Sequence, residues 1–344
     1  MTRVHLVIDR FGPRAVLIGG SVLLGFGALL FCGSNAPWQL YGGALVMAGG
    51  WVCTTMAAIS TVLALWFDRQ RGLAISLALN GASAAGFLVT PVLAALSQRH
   101  GLVVAVAETA LALLALLVPL VMFGMDPYFP SRGAPAVSEM QADPRPAYER
   151  PSQALRDWHL WSVALPFALV LAAQVGFLVH LVALLRPQLG ASGAASAVAA
   201  AAIAAMLGRI GLGFVIDRLD QRRVSAASFA SQAFGLLAIL MFPTRPEVLY
   251  AGSCLFGLSV GNVITLPSLI IQREFAARSF GLVVGLNAGI GQVTFAFGPA
   301  LLGLIHDLAG DYAPALILCM VLELAAAAII MAYRPAYAKL PQIS

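Results

Sequence analysis

Val7-Ile8-Asp9-Arg10, followed by Arg14 and Val16, returns later in the chain as Val215-Ile216-Asp217-Arg218, followed by Arg222 and Val224. From Val7 to Val215 the offset is 208 residues. A second pair keeps almost the same spacing. Gly72 to Pro91 (GLAISLALNGASAAGFLVTP) returns as Gly281 to Pro299 (GLVVGLNAGIGQVTFAFGP), offset by 209 at its start. Both members are glycine-studded segments that end in proline. Two independent matches at one spacing describe a tandem of homologous halves. The halves are unequal. Two apolar blocks precede the Asp217 turn within its half, whereas only eight residues precede Asp9.

Working outward, the chain has 344 residues, of which 60% are hydrophobic and only 10% charged. Soluble domains carry about 25% charged residues. The apolar residues fall in blocks long enough to cross a hydrocarbon core of about 30 Å as helices. Ten spans are expected, near 15–33, 38–66, 73–97, 102–124, 160–184, 192–216, 224–243, 247–271, 280–305 and 312–333. The one long polar segment, 126–158, holds Pro127, Pro130, Pro135, Pro144, Pro146 and Pro151 and reads as a flexible linker. The expected organisation is an N-terminal bundle over 1–125, the linker, a C-terminal bundle over 159–334 and a tail over 335–344. Cys32, Cys53, Cys254 and Cys319 lie apart within apolar blocks, with neither metal-ligand nor disulfide spacing.

The formal charge of +5 does not point to nucleic acid, because the basic residues sit in short loops between apolar blocks. If the linker faces the cytoplasm, sixteen Arg or Lys residues lie inside and only Arg99, Arg186 and Arg245 outside. That asymmetry sets an expected topology with a cytoplasmic C-terminus, in a plasma or bacterial inner membrane.

The loop Asp9-Arg10-Phe11-Gly12-Pro13-Arg14 resembles the D-R-x-G-R loop after the second helix of major facilitator transporters. The stretch Trp66-Phe67-Asp68-Arg69-Gln70-Arg71-Gly72-Leu73-Ala74, with Ala78 and Gly81, resembles the signature entering the fifth helix of the monocarboxylate transporter family. The same region is similar to the oxalate–formate antiporter branch. The resemblance implies an all-α fold of two bundles and twelve helices. Ten of these would be present here, with helix one and most of helix two missing.

Arg209 is the only Arg or Lys inside an expected span. A cation at the centre of a membrane helix costs about 2.5–3.5 kcal/mol on insertion scales and marks a functional candidate. The resemblance implies that an arginine here faces the central cavity and binds a substrate carboxylate, a task its planar fork suits. The alternative is a side chain that snorkels to the interface. Two departures from the family pattern stand out. Ala205 replaces an acidic residue one turn before the arginine, and Asn287 stands where the oxalate branch has a lysine. Both count against proton coupling and dicarboxylate binding, and a single organic anion or a weakly charged compound fits one cavity cation better.

Asn80, Thr90, Gln174, His180, Asn262, Thr265 and Gln292 are further binding candidates, although such residues also serve as interhelical glue. Glu108 and Glu323 fall in peripheral helices, where interfacial or packing roles are expected. Pro91 and Pro299 are expected to let their helices bend. The turns of Asp9, Arg10, Gly12 and Arg14 and of Asp217, Arg218 and Arg222 are expected to pair and latch one conformation.

These residues point to a secondary carrier of a small organic anion, working by alternating access. A coupling proton or counter-anion, membrane lipid and a monomeric state are implied, with no cofactor, metal, nucleic acid or catalytic residues. No Gly-rich Lys-Ser/Thr loop of an ATP site is present. A non-transporting or inactive membrane protein of the same fold is the other class.

Overall fold

In the computed structural model, the described residues are 4–54, 59, 77–78, 81, 89, 92–93, 95–124 and 145–333, the side chains of 4–10, 217 and 277 excepted. All regular structure among them is helical. The helices are α1 (Val4–Cys32), α2 (Pro37–Thr54), α3 (Leu102–Gly124), the single turn α4 (Pro151–Ala154), α5 (Trp158–Val215), α6 (Gln221–Met241), α7 (Pro246–Glu274), α8 (Phe280–Ala309) and α9 (Ala313–Ala332). Seven of the described helices are long and apolar enough to cross a membrane, one of them being the 58-residue α5.

Helix α5 is two spans in one. Gly190 adopts φ 72° and ψ 177°, conformations foreign to a helix, and divides it into 158–189 and 191–215. Glycine tolerates that positive φ without the Cβ clash other residues meet. The break falls between the expected spans 160–184 and 192–216. The expected spans at 102–124, 224–243, 247–271, 280–305 and 312–333 each coincide with one described helix to within a few residues. Most of 55–94 lies outside the described residues, and with it most of the 73–97 span.

The two copies of the Asp-Arg turn break the chain at the same place by different chemistry. In the first, Gly12 at φ 80° ends one helical segment of α1 and Pro13 begins the next. Proline suits that position because its missing N–H would be unpaired there anyway. Adding the 208-residue offset to Gly12 leads to Asp220. Its carboxylate caps α6 by accepting from the N–H groups of Arg222 and Arg223. One copy relies on backbone freedom and the other on a side-chain cap.

The described residues form two compact units, one containing α1–α3 and the other α4–α9. In the first, α1 packs on both α2 and α3. Side chains such as Leu111, Leu116, Leu120 and Phe123 on α3 are exposed, an outer surface suited to lipid. In the second, α5 packs against α7, α8 and α9, while α6 lies against α7 and α9. A core of Phe177, Leu181, Leu185, Leu236, Ile239, Phe256, Leu302 and Leu316 fills the centre.

The expected flexible linker does not extend over 145–157. Arg145 donates to Gln272 O at 3.2 Å, and Ala276 N–H donates to Pro146 O at 3.0 Å. The Tyr148 N–H donates to Ser279 Oγ, and that hydroxyl returns a bond to Tyr148 O. Asp157 then caps α5 by accepting from His159 N–H. Three backbone groups that a coil would leave to water, Pro146 O, Tyr148 N–H and Tyr148 O, are thereby engaged with the turn after α7.

Candidate functional site

The tightest helix contact in the second unit runs along 191–215 of α5 and along α7. Ala201, Ala205 and Gly208 on one side meet Gly257, Leu258 and Gly261 on the other. A Cβ on Gly257 would collide with Ala201 O, and one on Gly208 with Leu258 O. Small residues at four-residue spacing let the two backbones touch, the packing device of membrane helices. Ala205, in the place of the family's acidic residue, is one of these contact residues, its carbonyl 2.6 Å from where a Gly261 Cβ would stand.

Arg209 is one turn beyond Ala205 on this seam. Its side chain is 3% exposed, and Nε donates to Gly261 O at 3.3 Å. The guanidinium is therefore held within the unit instead of reaching along the helix to an interface. The next residue on α7, Asn262, is 8% exposed, and its Oδ1 has no hydrogen-bond partner among the described residues. Asn287 on α8 is partly buried, with its Oδ1 likewise unpartnered. Buried amide oxygens without donors are rare because they forfeit about 1–3 kcal/mol each. A cation and two unsatisfied acceptors thus lie on three adjoining elements, α5, α7 and α8.

Gln174 belongs elsewhere. It is buried on 158–189 of α5, where its Oε1 accepts from Gln232 Nε2 at 3.1 Å and ties α5 to α6. His180 is also committed to its neighbours, bonding Pro299 O at 3.0 Å through Nε2 and Tyr312 Oη at 3.1 Å through Nδ1. Because Nε2 faces a carbonyl it carries the proton, and Nδ1 accepts from the phenol. Pro299 is an interior residue of α8, as the repeat indicates. Thr265 spends its hydroxyl on Asn262 O one turn back.

Arg222 has partners inside its own unit. Nε and Nη2 form a bidentate pair with the Glu274 carboxylate at 2.6 and 2.8 Å, while Nη2 also reaches Ser162 Oγ and Nη1 reaches Ile330 O. His159 Nε2 donates to the same carboxylate at 2.8 Å, and Tyr333 lies 3.3 Å from its Nδ1. This knot joins α5, α6, α7 and the end of α9. The sequence expectation of Arg222 pairing with the first turn missed Glu274, His159 and Tyr333. The available signal was Glu274 itself, the only acid between Glu247 and Asp307.

Of the other expected residues, Arg14 has a buried Nε without a hydrogen-bond partner among the described residues. Arg218 is exposed, and Gly81 is helical. Asp9, Arg10 and Asp217 have described backbones only. Asn80, Trp66, Phe67, Arg69, Arg71, Leu73, Ala74, Thr90 and Pro91 lie outside the described residues.

A family model for the Major Facilitator Superfamily matches residues 5–220 and, again, 188–342. The chain belongs to this superfamily. It is a multi-pass integral membrane protein of a transporter family, and relatives of known name share most of this facilitator's length. An uncharacterized MFS-type transporter, YcxA, of Bacillus subtilis (strain 168) is 25% identical over 338 residues, covering 92% of this chain and 78% of that protein. Monocarboxylate transporter 11 of Mus musculus is 29% identical over 341 residues, covering 90% and 70%. Among solved structures, the E. coli fucose:proton symporter FucP superposes with a TM-score of 0.71 at 16% identity, covering 97% of this facilitator and 87% of that chain. That likeness concerns the fold.

Proposed function

We propose that this facilitator is a secondary carrier of small organic anions of the monocarboxylate type, working by alternating access, with Arg209 as the cation that receives the carboxylate. The observation that carries the reading is the buried Arg209, bonded to Gly261 O, with the unsatisfied side-chain oxygen of the next residue, Asn262, on the same helix. A guanidinium shielded from water binds a carboxylate far more strongly than an exposed one, because the Coulomb term grows as the surroundings lose polarity. Ala205 and Asn287, being uncharged, add no second charge of either sign to the Arg209 site, which suits a substrate with one carboxylate. The relation to monocarboxylate transporter 11 agrees with this substrate class. Asn262 and Asn287 are proposed to meet the rest of the substrate. Gln174 is assigned to helix packing with Gln232.

The test is uptake into proteoliposomes of radiolabelled short-chain monocarboxylates, each set against competition by its neutral amide analogue. Carboxylates should be taken up and should compete, whereas amides, unable to pair with the guanidinium, should compete at least tenfold more weakly. Equal competition by amide and acid would refute an anion site.

A further inference from the structure

We propose that Glu323 is a proton-binding site of the second unit, distinct from the Arg209 site, occupied at neutral pH and exchanging its proton with water as the carrier changes conformation. This goes beyond the reading of the substrate and does not depend on it. Glu323 lies in α9, in the middle of an apolar helix expected to be peripheral. It is 0% exposed, and neither carboxylate oxygen has a hydrogen-bond partner among the described residues. An interfacial role is therefore ruled out by its position.

The charged and titratable groups on the elements packed against α9 are engaged elsewhere or remote. On α5, His159 bonds Glu274 and Tyr333, His180 bonds Tyr312 and Pro299 O, Arg209 bonds Gly261 O, and Arg186 is exposed. On α6, Arg222 pairs with Glu274 and Arg223 with Asp220. Arg222 approaches α9 at Ile330 O, seven residues past Glu323, roughly 10 Å along the helix axis. On α8, His306 and Asp307 pair with each other. On α9 itself, the Cys319 thiol donates to Ala173 O. Among the described residues, nothing in this surround offers a positive charge to a carboxylate.

An ionised carboxylate so placed would bear an uncompensated desolvation cost of several kcal/mol, and a group in that position takes up a proton instead. The proton also meets a local need. Gln232, on the neighbouring α6, is buried with Oε1 lacking a donor. Its amide bonds Gln174, adjacent in sequence to the Ala173 that Cys319 touches, so this layer lies within about a turn of Glu323. With the carboxylate ionised, its oxygens and Gln232 Oε1 would all be acceptors without a donor among the described residues; one proton on Glu323 creates a donor.

The test is infrared spectroscopy of the purified chain in lipid nanodiscs at neutral pH, comparing wild type with Glu323→Gln in H2O and D2O. A protonated-carboxyl C=O band should be present in wild type, absent from the variant, and shifted down when D2O exchanges the proton. Loss of carboxylate absorption instead of that band would overturn the proposal. So would a band that never shifts in D2O, because a sealed acid is no exchanging site. If Glu323→Gln fails to accumulate, wild type alone decides: without a protonated-carboxyl band at neutral pH, the proposal fails.

Discussion

Arg209 could be singled out from the sequence because it is the one cation among long apolar runs. Its anchor, Gly261 O, is a backbone atom 52 residues away and leaves no mark in the sequence. The Arg222 knot was legible only in part, for the same reason. The motif names the arginine, but its partner, also 52 residues distant, looks in the sequence like an ordinary loop charge. The burial of that pair leads to a definite expectation. Removing one member of a buried, bidentate pair strands the other, which costs about 3–5 kcal/mol. Arg222→Ala should therefore lower the thermal midpoint of the detergent-purified protein sharply. Glu274→Gln should do likewise, and the double variant should lose much less than the two losses added. Additive losses would mean that the two residues act independently.

At the level of elements, apolar block length located the helices well, since a membrane span needs about twenty apolar residues whatever its neighbours are. The approach of α5 to α7 is different: it depends on which glycines face each other. Gly257 and Gly211 are both helical glycines of the second unit, yet only Gly257 has a backbone carbonyl where its Cβ would go. Gly257→Ala should push the helices apart and cost about 1–3 kcal/mol. Gly211→Ala, with open space around it, should be neutral or stabilise by up to about 1 kcal/mol through helix propensity. Thermal unfolding of the two variants side by side checks this; equal effects would remove the seam from the account. The ordered segment 145–157 was hidden behind its proline content, which predicts a coil but says nothing of the hydrogen bonds waiting on the turn after α7.

For the whole molecule, the tandem repeat was readable because a duplicated turn keeps its charges even after its neighbours diverge, and the superfamily match runs through both copies. Orientation rests on the arginine asymmetry. Single cysteines in a cysteine-free background should therefore label with an impermeant maleimide from outside the cell at Arg245→Cys, and only after permeabilisation at Arg132→Cys. The reverse pattern would invert the topology. The claim on which the functional account turns is that Arg209 receives the substrate's carboxylate. Its most direct test is monocarboxylate uptake, normalised to protein in the membrane, by wild type, Arg209→Lys and Arg209→Ala. A charge-assisted hydrogen-bonded contact is worth about 1.5–3 kcal/mol, so Arg209→Ala should weaken apparent affinity by about 10- to 150-fold. Arg209→Lys, which keeps the charge and loses the fork, should fall between. Near-normal uptake by an Arg209→Ala protein that reaches the membrane at wild-type level would contradict the account.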